Sequence, residues 1–515
     1  MTRGQGGQTV FYVFHVGRTF LSDCLRAYSQ PFVGQECPTH TGLETGYSLT
    51  VRELVRQNLR FFALGTAAAI LLRLLFVIFV PKVTADSTVY ADIAKNWLLY
   101  GIYARTYDAG VINPTFARLP GYPAFLAFAF AIFGLDNYRA VLAIQVVVDV
   151  ATCFVAADLA RRCVSDRAAK AAFLLTALCP FLAQYSAAAL TETLEIFFTA
   201  LALDFAVIGL DRLQTGNLRP WAWCGIWVAA CILLRPDGGV LLVAIGLYLG
   251  ILLVRTLRSR SEALPIVRAG LTVAACALAP LVVWGARNLH TMHRMEFLAP
   301  RYANEVDEFV PLGFNRWVNT WIADYTSTEE IYWNVPGDKV DVNNLPSRAF
   351  DTPEQRETTE AVLDEYNQAL NINAALDQKF AQLAEERIRS HPLRYYVVLP
   401  VLKVADMWLR PRTELLPPDS RWYEFDDDTK WTVLAVGLGV VNLLYILAAV
   451  AGLVRGGPIA WVGLPLTYVV LRSILLGTLG NPEARYTLEC YPCIILMAAA
   501  LWFTPRAPSI DLQSS

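Results

Sequence analysis

The chain has 515 residues, of which 55% are hydrophobic and only 17% are charged, and its net charge is -2. Ordinary soluble proteins carry roughly 25% charged residues, so this composition excludes an ordinary soluble domain. Apolar runs of about 18 to 20 residues recur, and each is long enough to cross a hydrocarbon core of about 30 Å. The sequence therefore predicts an all-α polytopic membrane protein with no nucleic-acid partner.

The first 55 residues are mixed and polar, and no small-residue cleavage site follows a short apolar stretch in them. We therefore expect the first membrane helix to act as an uncleaved signal. Two explanations stay open for residues 1–55: a cytoplasmic tail without fixed structure, or a start site placed too far upstream.

About ten transmembrane helices follow in chain order. They are predicted at residues 61–80, 138–160, 167–188, 192–210, 221–234, 238–255, 266–286, 431–453, 458–477 and 488–504. Basic residues accumulate at cytoplasmic loop ends, so their positions set the orientation. Those that share one side here are Arg56, Arg60, Arg161, Arg162, Arg167, Lys170, Arg212, Arg219, Arg255, Arg258, Arg260 and Arg455. The pattern predicts that both termini are cytoplasmic, in a bacterial-type inner or plasma membrane.

Four segments are then predicted to be extracytoplasmic. They are the first outer loop 82–120, the turn 190–193, the long segment 287–430 and the turn 480–486. We expect 287–430 to be a folded insert that carries an amphipathic helix over 360–390. The chain divides into a tail at 1–55, a transmembrane module at 56–286, this insert, and C-terminal transmembrane helices with a short tail at 431–515.

Two further apolar stretches do not fit the count of spans. Residues 121–134 are too short to cross a membrane. Residues 394–410 are long enough, but a crossing there would place Arg455 outside. Both are predicted to be interfacial or re-entrant helices, and the aromatic and basic residues of 394–410 suit the headgroup region.

Asp86 stands at the mouth of the first span, before a predicted helix over 87–99. Val89, Ile93 and Trp97 give that helix one apolar face, so it can lie on the bilayer surface and cover a cavity. Two interpretations of Asp86 stay open. It is either the N-cap of the helix or a general base in an extracytoplasmic cavity.

Further charged residues are predicted on the same side of the membrane. Arg118 suits a lipid phosphate because its guanidinium is permanently charged and bidentate, although it could also contact lipid headgroups in general. Glu192 begins a helix, where a carboxylate is favourable in any case. The arginines expected beside them are Arg235, Arg287 and Arg485.

Several other candidates carry weaker signals. Glu195, Asp149 and Asp204 lie deeper in apolar runs, where a carboxylate is a functional candidate by default. His290 and His293 are spaced for a metal, but two histidines are a weak signal. The pair Cys490 and Cys493 has redox spacing without a redox context, and packing explains it better.

The order of these motifs resembles a known group. Asp86, the DSxxYxxxA run with Tyr90 and Ala94, the RLPGYP stretch that contains Arg118 and Tyr122, and the LTE turn are similar to the polyprenyl-phosphate-sugar-dependent glycosyltransferases of the GT-C fold. The nearest branch is the protein O-mannosyltransferase and aminoarabinose transferase superfamily. The resemblance covers residues 60–290, and more loosely the RY element at Arg485 and Tyr486.

The resemblance implies roles for individual residues. Asp86 matches the catalytic aspartate of the family, Arg118 a ligand of the lipid phosphate, and Glu192 an acid that assists the site or helps to hold a metal. Arg485 falls near the donor phosphate. The remaining residues expected to bind substrate are Tyr90, Tyr122, Arg235 and Tyr486.

Two departures from the family leave the use of a divalent metal open. Ser87 stands where many members carry a second acid, and Ala117 stands where aminoarabinose transferases carry one. No cofactor is implied with certainty.

The function implied is an inverting glycosyltransferase of the cell envelope. It would transfer a hexose or pentose from a polyprenyl-phosphate donor to a lipid, glycan or protein acceptor. The alternatives are a transporter or lipid flippase and a membrane scaffold without activity. Transporters commonly contain inverted repeats and polar sites at the midplane; this sequence has no internal repeat, and its polar residues cluster toward the outer face.

Overall fold

The computed structural model describes residues 50–107, 110–257, 259–305, 308–417, 420–423 and 429–503. The described residues from Val51 onward form one compact unit. Most of the predicted tail at 1–55 and the last residues of the chain lie outside the described residues. The division into module, insert and C-terminal helices stays a prediction.

The structure is 75% helical with almost no strand, which confirms the all-α polytopic class. The helices are α1 Val51–Gln57, α2 Leu59–Phe79, α3 Ala85–Tyr100, α4 Gly121–Phe133, α5 Tyr138–Cys163, α6 Asp166–Ala177, α7 Pro180–Ser186, α8 Glu192–Asp211, α9 Arg219–Leu234, α10 Gly239–Thr256, α11 Arg260–Met292, α12 Leu312–Val318, α13 Tyr325–Ser327, α14 Pro353–Ala369, α15 Ala374–Ser390, α16 Leu399–Leu409, α17 Thr429–Arg455, α18 Gly463–Gly477 and α19 Tyr491–Ala499. The two strands, β1 Ala104–Thr106 and β2 Ile112–Pro114, pair antiparallel in the loop after α3.

Every one of the ten predicted spans coincides with a helix. Seven described helices are long and apolar enough to cross a membrane, and α6 with α7 makes an eighth if the bent pair is one span. The other two, α9 and α18, have 16 and 15 residues. Arg235-Pro236 follows α9 directly, and a residue before proline leaves the helical region, so α9 stops short.

The bend of 52° between α6 and α7 is built around a buried arginine. Pro180 begins α7, so the chain lacks a backbone donor there and the carbonyls at the end of α6 lose their helical partners. Arg73 from α2 donates to the carbonyls of Thr176 and Ala177 and, at 2.7 Å, to Asp149 of α5. Unpaired backbone groups are costly inside a bilayer, so this arginine stabilises the break.

The insert contains an aromatic core in which Trp317, Trp321 and Phe380 are fully buried. The single amphipathic helix predicted over 360–390 is wrong, because the structure has two helices, α14 and α15. Leu370 ends α14 with a left-handed backbone (φ 51°), and the side chain of Asn373 caps α15 by accepting from the Leu376 amide.

The short helix α4 confirms the apolar helix predicted at 121–134. Its start is held in place by close backbone contact with the end of α9. A Cβ on Gly121 would lie 2.6 Å from the carbonyl oxygen of Leu233 in α9. Only glycine therefore allows the start of α4 to touch the end of α9. This contact brings the loop that carries Arg118 beside Arg235.

Candidate active site

Asp86 lies in the first turn of α3 but does not cap it. The cap is Thr84, whose hydroxyl accepts from the Ser87 amide, while the Ser87 hydroxyl accepts from the Thr84 amide. This reciprocal capping box satisfies the end of the helix without a carboxylate. The N-cap interpretation of Asp86 is therefore wrong, and its side chain is available for other partners.

The carboxylate of Asp86 lies between two arginines. Arg118 Nη2 is 3.0 Å from Asp86 Oδ1, and Arg485 Nη2 is 3.7 Å from Asp86 Oδ2. These residues come from α3, from the loop before α4 and from the turn before α19, so the fold joins elements almost 400 positions apart.

Two tyrosines form the wall behind Arg118. Its guanidinium lies 5.7 Å from the ring centre of Tyr90, and the rings of Tyr90 and Tyr122 are 5.1 Å apart. The Tyr122 hydroxyl donates to Gln145 Oε1 at 2.8 Å. Burial raises the pKa of Tyr90 to about 12, so this phenol stays protonated at neutral pH and can act only as a hydrogen-bonding or packing surface.

Glu192 begins α8 and joins the second half of the cluster. Its Oε1 is 3.4 Å from Arg235 Nη1 and 3.7 Å from Arg485 Nη1. The same two arginines lie over the ring of Tyr486, at 4.7 Å and 5.2 Å from its centre. The structure thus brings all eight residues predicted for the site into one contiguous cluster.

A deeper layer of charges supports this cluster, and the sequence analysis missed its centre. Arg472 is fully buried, with Glu489 at 2.9 Å, Asp237 at 3.1 Å and Glu195 at 3.8 Å. Arg235 is in contact with both layers, because it also lies 3.1 Å from Asp237. Arginine inside an apolar helix is a signal in its own right, so Arg472 in α18 could have been found from the sequence.

The arginine side chains of the cluster are more exposed than the glutamates that contact them. The side chains of Glu192, Glu195, Glu483 and Glu489 are at most 4% exposed, whereas those of Arg118, Arg235 and Arg485 are 16–20% exposed. The acids therefore position the guanidinium groups from below, and the guanidinium groups face the open side. Asp86, at 38% exposed, is the most accessible carboxylate of the cluster.

Three other candidates have partners elsewhere. Arg287 donates to the carbonyls of Tyr103 and Thr115 and so holds the first loop in place. Asp149 pairs with Arg73, and Asp204 lies 3.2 Å from Arg162. The hypothesis that these groups belong to the cluster is not supported by their contacts.

The arrangement does not fit a bound metal. Each oxygen of Asp86 faces a guanidinium group, and Glu192 Oε1 faces two, so the positive charge already around these carboxylates disfavours a cation. Within the described ranges, no three His, Cys, Asp or Glu side chains form a metal-binding group, and this covers His290 and His293. Cys490 and Cys493 are buried free thiols, as the packing interpretation predicted.

Residues 115–284 match the model of the dolichyl-phosphate-mannose-protein mannosyltransferase family. This is about a third of the chain, and it contains Arg118, Tyr122, Glu192 and Arg235 but neither Asp86 nor Arg485. The match confirms the predicted resemblance over that stretch. No curated protein matches the chain.

Similar solved structures include the archaeal oligosaccharyltransferase AglB from Archaeoglobus fulgidus, in complex with an inhibitory peptide and a dolichol-phosphate, at 13% identity and a TM-score of 0.45. That similarity covers 86% of this chain and 50% of the other, so the chain spans half the length of AglB. ArnT from Cupriavidus metallidurans, bound to undecaprenyl phosphate, is 14% identical, with a TM-score of 0.37 and coverage of 85% and 77%.

Proposed function

We propose that the chain is an inverting glycosyltransferase of the GT-C fold that transfers a sugar from a polyprenyl-phosphate donor to an acceptor hydroxyl. The observation that carries the proposal is the exposed carboxylate of Asp86 between Arg118 and Arg485. The match to a family whose description names a lipid-phosphate-linked mannose supports a donor of this class.

The arginines suit the phosphate of such a donor. A phosphate diester becomes a monoester with additional negative charge when its bond to the sugar breaks, so the reaction needs charge stabilisation more than an acid. Arg118 and Arg485 are fixed by carboxylates and tyrosine rings before any substrate arrives. A fixed guanidinium pays little reorganisation cost as the charge develops.

Asp86 supplies the base. The acceptor oxygen attacks the anomeric carbon and forms the new glycosidic bond, and the bond from that carbon to the phosphate oxygen breaks with its electron pair on polyprenyl phosphate. The acceptor proton passes to Asp86, which is the most exposed carboxylate of the cluster. A single displacement of this kind inverts the anomeric centre.

The remaining site residues hold the arginines in place or contact the donor. Glu192 shares contacts with Arg235 and Arg485 and keeps both guanidinium groups at a fixed separation. The ring of Tyr486 packs against the same two arginines. In this proposal Arg235 binds the donor together with Arg485, and Tyr90 and Tyr122 form the wall against which the sugar lies.

We infer that the site faces the extracytoplasmic side and that both termini are cytoplasmic. The support is the basic flanks of the spans, which share the opposite side from Asp86 and Glu192. A polyprenyl chain then lies in the bilayer, and an acceptor reaches the site from outside. A lipid, a glycan and a protein all remain acceptor classes at this stage.

The experiment that tests the proposal separates transfer from transport. Proteoliposomes containing the full chain receive a panel of polyprenyl-phosphate sugars labelled in the sugar, and both free polyprenyl phosphate and the location of the label are followed. We expect at least one donor to be cleaved with its label moved to an acceptor or to water. Label that changes leaflet while every donor stays intact would overturn the proposal in favour of a flippase.

A further inference from the structure

A cavity of about 750 Å³ lies outside the charged cluster, within the insert and beside α16. This volume is within the range of about 300–1,000 Å³ that is typical of small-molecule sites. Its walls carry three acids, three arginines and the aromatic rings of Trp422 and Tyr423. The roles proposed above use none of them.

Electrostatic interactions and one ion pair link a wall of the cavity to the proposed active site. Arg410 lies 4.8 Å above the ring of Tyr325. Burial raises the pKa of Tyr325, and the nearby carboxylates of Glu414 and Glu483 raise it further. Glu483 is 2.7 Å from Arg485. The wall of the cavity is therefore within electrostatic reach of the residue that contacts Asp86.

A hydrogen bond also ties the cavity wall to the proposed active site. Two residues after Arg410, the buried side chain of Arg412 donates to the Ala484 carbonyl at 2.6 Å. Ala484 directly precedes Arg485. A ligand that fills the cavity would therefore touch a segment that is hydrogen-bonded to the turn carrying Arg485.

The charges on the cavity walls are ordered and balanced. Arg348 pairs with Asp324, and Arg421 makes a two-pronged contact with Glu330 at 2.7 Å and 2.9 Å. Asp406 accepts from the Tyr325 amide at 3.0 Å and lies near Arg410. Three acids thus face three arginines, so the cavity favours a neutral ligand rich in hydroxyl groups over an ion.

Aromatic rings accompany these charges. Trp422 and Tyr423 line the cavity with ring centres 5.9 Å apart, and Tyr423 is 53% exposed. The C–H faces of sugar rings pack on aromatic faces, while the hydroxyl groups at their edges bond to carboxylates and guanidinium groups. A lipid tail would leave the ionic groups desolvated without new partners, and no described strand edge lines the cavity for an extended peptide.

We propose that this cavity binds a neutral oligosaccharide and that this oligosaccharide is the acceptor. The acceptor part of the inference rests on the proposed function, whereas saccharide binding does not. The terminal sugar would extend from the cavity toward Arg485, where one of its hydroxyl groups meets Asp86.

Direct binding is the test, with the full chain in nanodiscs and without any donor. The probes are maltotetraose, cellotetraose and α-1,6-mannotetraose, followed by saturation-transfer NMR and calorimetry. The test variant is Tyr423→Ala. Its matched control is Tyr396→Ala, which removes a similarly exposed tyrosine (65%) that lies outside the cavity wall. Loss of one stacking aromatic should weaken binding about fivefold to tenfold, and Tyr396→Ala should bind as wild type does.

Three results would overturn the inference. The first is that no tetrasaccharide binds the wild-type protein at millimolar concentration. The second is that Tyr423→Ala binds the tetrasaccharides as tightly as wild type does. The third is that a peptide containing serine and threonine binds instead of the tetrasaccharides, and that its binding requires Tyr423. Asp406→Asn is a second variant that keeps the shape of the side chain, and it should also weaken saccharide binding.

The two proposals can fail separately. If saccharides bind through Tyr423 but no polyprenyl-phosphate sugar is ever cleaved, the cavity assignment stands and the transferase proposal fails. If a donor is cleaved in an Asp86-dependent way but Tyr423→Ala leaves the KM for the saccharide acceptor unchanged, the transferase proposal stands and the cavity assignment fails.

Discussion

Two aspartate–arginine pairs stand on neighbouring elements of this protein and have opposite surroundings. Asp149 and Arg73 are 2.7 Å apart and essentially unexposed, whereas Asp86 and Arg118 are 3.0 Å apart and 38% and 20% exposed. Both aspartates were candidates from the sequence because each occurs in or beside an apolar run. Their surroundings in the structure imply different roles.

The buried pair has little capacity left for a ligand. Besides Asp149, Arg73 donates to the carbonyls of Ala69, Thr176 and Ala177, so most of its donors are used within the fold. Asp86 instead shows one oxygen to Arg118 and the other to Arg485, and its carboxylate remains open to water. The closed pair stabilises a helix break, whereas the open pair leaves a carboxylate accessible from outside the fold.

The largest expected effect is on stability, from breaking the closed pair. Arg73→Met leaves Asp149 charged and alone among apolar helices and frees the carbonyls at the end of α6. Removing one partner of a buried pair costs about 3–5 kcal/mol, so thermal unfolding in detergent should begin at a clearly lower Tm. The double variant Arg73→Met/Asp149→Leu should recover part of that loss, because it removes the stranded charge.

If Arg73→Met had the wild-type Tm, the pair of Arg73 and Asp149 would not stabilise the break between α6 and α7. The structural role that we contrast with Asp86 would then be wrong.

The next effect is on the rate, from weakening the open pair. Arg485→Lys keeps the positive charge but removes the planar fork that reaches Asp86, Glu192 and Glu483 together. Losing one fixed donor at a developing anion costs roughly 10²–10³-fold in kcat, or about 2.7–4 kcal/mol. Polyprenyl-phosphate release measures it. A rate within twofold of wild type would mean that Arg485 is only structural.

A smaller effect should come from the cap of α3. Thr84→Ala removes the hydroxyl that caps the helix carrying Asp86, and such a loss costs about 0.5–2 kcal/mol. Amide hydrogen exchange in α3 should become faster. Thr88→Ala is the matched control, because the Thr88 hydroxyl is exposed and donates only to the Ala85 carbonyl. Equal exchange in the two variants would argue against Thr84 as the cap.

The smallest effect should come from a third aspartate pair. Asp136 lies 3.0 Å from Lys95 with both side chains substantially exposed. Such surface pairs contribute about 0–1 kcal/mol, and the left-handed backbone at Asp136 (φ 57°) suits asparagine. Asp136→Asn should therefore keep the wild-type Tm and rate. A large loss of activity in Asp136→Asn would show that contact with two arginines is not what sets Asp86 apart from other exposed aspartates.

Much of the fold could be predicted because it depends on local patterns. Apolar runs located all seven described helices that are long enough to span a membrane, and the bent pair, since each run must match the membrane on its own. The short helix α4 and the helix after Asp86 followed from composition in the same way. The break at Leu370 was missed because an unfavourable backbone angle at one residue, stabilised by the cap at Asn373, overrode the amphipathic periodicity.

The candidate site divides along the same line. Motif order indicated which residues belong together, but not which atoms meet. Whether Asp86 capped its helix depended on Thr84 and Ser87, whose hydroxyl groups accept from each other's amides and so form the cap without Asp86. The partner of Asp149 is 76 positions away in sequence. The buried group around Arg472 forms only when α8, the turn before α10, α18 and the turn before α19 pack together, so no window of sequence contains it.

The most direct test of the account is the rate of polyprenyl-phosphate release by Asp86→Asn, in equal amounts of folded protein and with Asp136→Asn as the control. Asparagine keeps the shape of the side chain and cannot accept the proton from the acceptor. The account predicts a loss of at least about 10²-fold with an unchanged Tm, while Asp136→Asn turns over at the wild-type rate. Wild-type turnover by Asp86→Asn would contradict the assignment of Asp86 as the base.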